Sequence, residues 1–176
     1  MKTIIRIIVL SVTINLGAQN GDFVFPDDAL GIYKGDLVVE NSNGKEIYGM
    51  EFHLQPTDSL GNYTYKIVYI ADGNRQERNY NLIAKDTSRG EYVVDENNGI
   101  LLPAKLFGNR LYSIFEVQNS LLITTETFFE DYMLFEIVFS NTSGAMVSGA
   151  TEEDVPKVTS YPVTVSQRAK LIKVKN

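Results

Sequence analysis

Tyr48-Gly49-Met50-Glu51-Phe52-His53-Leu54-Gln55 alternates bulky apolar side chains with small or polar ones at a period of two. This is the pattern of a β-strand with one face in a core and the other in water. Tyr48, Met50, Phe52 and Leu54 take the inward face, and Gly49, Glu51, His53 and Gln55 the outward one. The stretch begins just after Asn43-Gly44, and Asp72-Gly73 and Asn98-Gly99 repeat that chemistry further on. Asn, Asp and Gly tolerate the positive φ that two-residue hairpins demand. Softer turns stand at Gly61-Asn62, Gly108-Asn109, Asn119-Ser120 and Glu130-Asp131, while residues 86–90 make a longer connection. Strands are therefore predicted over residues 31–40, 45–56, 62–71, 76–85, 90–95, 99–107, 110–118, 120–129, 131–140 and 159–174.

Consecutive hairpins without a helix-length interval describe an up-and-down meander, and a sheet of that many strands avoids long bare edges by closing on itself. The fold class is all-β, an antiparallel barrel of about eight to ten strands. Residues 141–157, rich in Gly and acid, form a long loop or a lid, with Thr151-Glu152-Glu153-Asp154 able to open one helical turn before Pro156. The barrel domain is expected over residues 31–176, preceded by an extension over 19–30.

Residues 1–18 carry Lys2 and Arg6, an apolar stretch and the small-residue exit Leu16-Gly17-Ala18. This reads as a secretory signal peptide, with an apolar part too short to span a bilayer. The expected location is periplasmic or extracellular. The chain has no cysteine, which leaves no disulfide, no thiolate ligand and no cysteine for a lipid anchor. Without Lys2 and Arg6, 14 basic residues face 22 acidic ones, a net charge near −8, so nucleic acid is a poor partner.

Alternation sorts other strands as well. Tyr33, Leu37 and Val39 line the first, Tyr63, Tyr65, Ile67 and Tyr69 the third, and Met133, Phe135, Ile137 and Phe139 the ninth. In the fourth, Arg78 shares its face with Tyr80 and Leu82, opposite Glu77, Asn79 and Asn81. A guanidinium inside a barrel must pair with an acid, a tyrosine or an anionic ligand. The alternative is that Arg78 reaches water at the strand end, beside the turn at Asp72-Gly73.

Gly31-Ile32-Tyr33 at the start of the first strand resembles the Gly-x-Trp opening of lipocalins and other calycins, with Tyr in place of Trp. Arg168 on the last strand is similar to the basic residue that packs across that ring in those families. The resemblance implies a structural closure by Gly31, Tyr33 and Arg168 through a cation–π contact. Tyr63-Thr64-Tyr65-Lys66-Ile67 and residues 91–99, 111–117 and 158–169 also resemble an uncharacterised group of secreted, lipocalin-like bacterial proteins. Fatty-acid-binding proteins are less similar, because their helical lid lies between the first two strands, where this chain has a short turn.

The catalytic inventory is thin. The one histidine, His53, falls on the outward face, which leaves a Ser-His-Asp or Cys-His arrangement without its base and zinc without its ligands. Asp95-Glu96-Asn97-Asn98-Gly99 is better accounted for as a hairpin than as a calcium loop, and Glu152-Glu153-Asp154 as a solvated loop. No catalytic residue, metal ligand or cofactor is expected. The leading expectation is a secreted, noncatalytic barrel that takes a small apolar or amphipathic ligand. Tyr33, Phe52, Tyr65, Tyr80 and Phe135 would supply the surface and Arg78 the orienting group. The alternatives are a filled barrel serving as a protein or cell-surface interaction module, and a carboxylate-based enzyme.

Overall fold

The structure is a computed structural model that describes residues 23–149 and 155–175. The expected signal peptide and the acidic turn at 151–154 lie outside the described residues. Twelve strands follow in order: β1 (Gly31–Asn41), β2 (Gly44–Pro56), β3 (Asn62–Ala71), β4 (Asn74–Asp86), β5 (Glu91–Asp95), β6 (Leu101–Phe107), β7 (Arg110–Val117), β8 (Ser120–Phe128), β9 (Tyr132–Asn141), β10 (Met146–Ser148), β11 (Val158–Ser160) and β12 (Val163–Lys173). Ten of them close a barrel in the order β1-β12-β9-β8-β7-β6-β5-β4-β3-β2, all pairs antiparallel. The up-and-down barrel read from the turns is thus the fold.

The turns are shifted in places. Asn41 pairs with Gly44, so the first turn is Ser42-Asn43, held by the Asn41 carboxamide accepting from the Asn43 N–H at 2.7 Å. Val117 pairs with Ser120, which makes Gln118-Asn119 the turn, both at positive φ. The last predicted strand is broken at Tyr161-Pro162. Its first part, β11, pairs with β10, a short ribbon inside the expected long loop, and its second part, β12, closes the barrel.

Residues 23–30, expected as an extension, are built into one end of the barrel. Phe25 packs edge-on against Tyr92 at 5.1 Å and against Phe128 at 5.5 Å, and Ala29 is fully buried. Tyr33 donates its hydroxyl proton to the Ala29 carbonyl at 2.7 Å, and Lys173 Nζ donates to the Asp28 carbonyl at 3.0 Å. Burying Phe25 alone stabilises this plug by about 2 kcal/mol. Tyr33, Phe52, Leu54, Phe128, Met133 and Leu171 complete a solid core above it.

The closure by Arg168 is corrected. Arg168 pairs with Val38 and Glu136, on the outward phase of β12, and its guanidinium lies 3.1 Å from Glu40 on the surface. Strand alternation allows nothing else, because Ala169 and Leu171 occupy the inward phase. The residue opposite Tyr33 is Lys173, whose ammonium sits 5.6 Å from the Tyr33 ring centre. Gly31 makes room for it, since a methyl group there would lie 2.7 Å from Lys173 Cε.

The outer face also holds a buried carboxylate. Glu51 accepts from Arg75 through both oxygens at 3.2 and 2.9 Å, with Lys34 at 3.1 Å and His53 at 3.0 Å. The Arg75 hydrogen bonds lead in holding its pKa down to about 2, with His53 and Lys34 adding to them against the cost of burial. His53 is therefore bound to a surface network and faces away from the barrel interior.

Candidate functional site

The barrel is solid at the end plugged by residues 23–30 and hollow at the other. A cavity of about 830 Å³ opens among the β1–β2, β3–β4 and β5–β6 turns. That volume suits one small molecule, and it does not fit the alternative of a barrel filled throughout. The long connection with β10 and β11 leaves from the same end, yet none of its described residues lines the cavity.

Four of the six predicted ligand residues, Tyr65, Arg78, Tyr80 and Phe135, line this cavity. The other two are corrected to supporting positions. Tyr33 and Phe52 are fully buried below the floor, because the N-terminal plug fills the space they face. Phe52 meets Tyr65 edge to face at 4.9 Å, and so sets the angle of the residue that does line the cavity.

The floor carries a group absent from the expectations. Glu126, 2% exposed, points inward from β8 and accepts a hydrogen bond from the Tyr65 hydroxyl at 2.9 Å. Burial pushes its pKa up to about 7, against the lowering effect of the Tyr65 hydrogen bond and of its own backbone N–H. Desolvation outweighs these hydrogen bonds, and the ion pairs of the described residues do not include Glu126. The same strand sends Leu122, Thr124 and Phe128 to this face, so alternation in Leu122-Ile123-Thr124-Thr125-Glu126-Thr127-Phe128 was the signal that locates Glu126.

Tyrosines surround this acid. Burial raises Tyr65 well above its ordinary value and Tyr69 to about 12, with Tyr80, Arg78 and Glu126 all acting on Tyr69. Tyr80 stacks over Tyr65 at 6.5 Å. These phenols stay protonated across the physiological range, and Tyr69 and Tyr80 can donate to a ligand. Arg78 lies opposite Ile67 on β3, one inward position nearer the mouth than Tyr80 opposite Tyr65. It is exposed at the rim, on the face of β4 that lines the cavity. The ion pairs of the described residues do not include Arg78.

The cavity is thus graded: an aromatic floor, one neutralisable acid above it, an aromatic and aliphatic wall, and an arginine with Asp72 and Glu96 at the rim. Among the described residues, no three His, Asp or Glu side chains converge to hold a metal.

No family model matches this chain, and no curated protein does. Among solved structures, it is similar to the S-type phycobiliprotein lyase of Guillardia theta, with a TM-score of 0.59 and 5% identity. The match covers 85% of this chain and 90% of that one. At that identity the likeness is one of fold, a lipocalin-like barrel. It nevertheless corrects the expectation of a noncatalytic protein, because a barrel similar over nine-tenths of its length is a lyase.

Proposed function

We propose that the barrel binds one small amphipathic molecule, with an apolar or aromatic body along Tyr65, Tyr80, Ile137 and Phe135. Its inner end presents a hydrogen-bond donor or basic nitrogen to Glu126, and an anionic or polar group meets Arg78 at the rim. The observation that carries this reading is the cavity of about 830 Å³ with a single carboxyl at its floor and an arginine at its mouth. An apolar wall contributes affinity through buried area, while the two polar groups fix the orientation. Native mass spectrometry of protein purified from its own host is expected to reveal a retained small molecule, and Arg78→Gln to weaken its binding about tenfold. No retained mass, together with no thermal shift across a panel of amphipathic metabolites, overturns the reading.

A second reading follows from Glu126 itself. A carboxyl with a pKa of about 7 gives or accepts a proton with little cost at neutral pH, and it faces the cavity beside a tyrosine donor. On this reading the bound molecule undergoes proton transfer at the floor, and Glu126→Gln abolishes turnover while sparing binding. Retained turnover in that variant sinks it.

Export belongs to the same proposal. Lys2 and Arg6 ahead of an apolar stretch, and the resemblance to secreted bacterial lipocalin-like proteins, support a periplasmic or extracellular site of action. The expected N-terminus of the mature protein, read by mass spectrometry, falls near residue 19. An N-terminus at Met1 in protein from the host overturns it.

A further inference from the structure

Alternation in β8 turns Leu122, Thr124 and Glu126 inward, and strand pairing sets Glu126 between Leu111 of β7 and Phe135 of β9. Both neighbours are apolar and buried, so neither strand offers the acid a charge or a proton donor. The groups that act on it come from across the interior, on β3 and β4. Tyr65 donates to its Oε1 at 2.9 Å, Tyr69 and Tyr80 stand close by, and Arg78 lies nearer the mouth. Arg78 is paired with Ile67, one inward position above the pair of Tyr80 with Tyr65, so guanidinium and carboxyl occupy different levels of the cavity. Among the described residues the ion pairs do not include Glu126, yet it borders the cavity.

The sign of the cavity is set by its wall. Apart from tyrosines, its ionisable groups are Asp72, Glu96 and Glu126 against Arg78 alone, an excess of acid. The chain as a whole carries −6 at pH 7, and a field of that sign draws cations towards the mouth. Tyr65, Tyr69, Tyr80, Phe115 and Phe135 line the same space, and the electron-rich face of an aromatic ring attracts a cation within about 6 Å. A primary ammonium also has three protons to donate. The Glu126 carboxylate, the Tyr65 phenol oxygen and the hydroxyl of Thr124, one inward position along β8, are acceptors for them. A buried carboxylate is costly alone and tolerable when paired, so a positive head at this floor meets a group that gains from it.

We propose that the cavity selects cationic amines: a primary or secondary ammonium on an aryl or alkyl body, its head paired with Glu126 and its body along Tyr65, Tyr80 and Phe135. The inference rests on the ligand-binding reading above and narrows it from any hydrogen-bond donor to a positive charge. It parts from the proton-transfer reading, in which Glu126→Gln spares binding.

The test is isothermal titration of the protein with 2-phenylethylamine and octylamine, each set beside the alcohol and the carboxylate of the same body. At pH 8 each amine is expected to bind at least tenfold more tightly than either counterpart. Glu126→Gln keeps the shape of the floor, and it is expected to weaken the amines at least tenfold and so erase their advantage over the alcohols. Proton linkage gives a separate readout. Glu126 is protonated in the empty cavity below its pKa of about 7 and must ionise to pair with an ammonium, so amine affinity falls about tenfold for each unit of pH below 7. Titrations at pH 6 in two buffers of different ionisation enthalpy are expected to show about one proton released for each amine bound. Amines that bind no better than their alcohols or carboxylates, keep their affinity in Glu126→Gln, or bind more tightly at pH 6 than at pH 8 overturn amine selection while the cavity reading stands. Failure of every probe, charged and neutral, to bind at millimolar concentration overturns both.

Discussion

Replacing Glu126 with Gln isolates the energetic cost of the acid at the cavity floor. Its pKa rises from an ordinary 4.5 to about 7 on folding, because the folded chain surrounds it with tyrosines, aliphatic groups and Thr124 and gives it one hydroxyl donor. Below pH 4.5 the group is protonated in both folded and unfolded chains and costs nothing. Between 4.5 and 7 the unfolded chain releases the proton while the folded chain keeps it, so stability falls as pH rises. Above 7 the loss levels off at about 3 kcal/mol, taking 1.36 kcal/mol for each unit. Gln keeps the shape and still accepts from Tyr65, so Glu126→Gln removes the titration with little change in packing. The variant is expected to match the parent near pH 4 and to exceed it by about 3 kcal/mol at pH 8, on the order of 6–12 °C in Tm. Urea denaturation of both proteins from pH 4 to 9 reads the difference directly. A difference that is flat with pH, or a parent that gains on the variant as pH rises, refutes the account of a desolvated, unpaired carboxyl.

Phe52→Ala is expected to cost about 3–5 kcal/mol, because it empties a fully buried site under Tyr65, and to loosen the cavity floor as judged by increased binding of an apolar dye. Lys173→Met removes the ammonium from the Tyr33 ring and from the Asp28 carbonyl, and denaturant titration should show a loss of about 1 kcal/mol, whereas Arg168→Met, on the surface, should be nearly neutral. Glu51→Gln is expected to lower stability at neutral pH, with the difference shrinking as pH falls below 4.5 and vanishing near 2, since the native carboxylate is held down to about 2. Gly35→Ala would set a methyl group 2.5 Å from the Lys170 carbonyl oxygen, so β1 and β12 must separate, and thermal melting should fall by several degrees.

Period-two alternation and Asn, Asp and Gly turns were enough to read the barrel strands and most of their inward faces, though not the β10–β11 ribbon, because these are local properties of a meander. Tyr48, Met50, Phe52 and Leu54 point inward as their spacing requires. Turn positions were less legible, since Asn43-Gly44 fits a hairpin in either of two registers and only the pairing of Asn41 with Gly44 chooses between them. Alternation also says which side chains face inward without saying what else occupies the interior. Tyr33, Phe52, Tyr65 and Tyr80 look alike in the sequence. They differ in the fold because residues 23–30 fill one end and leave the other hollow.

The electrostatics followed the same division. Glu51 and Glu126 are both glutamates in alternating strands, yet one is held at about 2 by three basic neighbours and the other is pushed to about 7 by burial in the barrel. Those neighbours come from separate strands, Lys34, His53 and Arg75 around one acid and Tyr65 beside the other. The sequence by itself determined an antiparallel barrel and its inward faces, since hairpins and period-two patterning are written residue by residue. Which end is plugged, which basic residue meets Tyr33 and which acid is buried away from the basic residues were decided by tertiary structure alone, because each depends on strand register across the closed sheet.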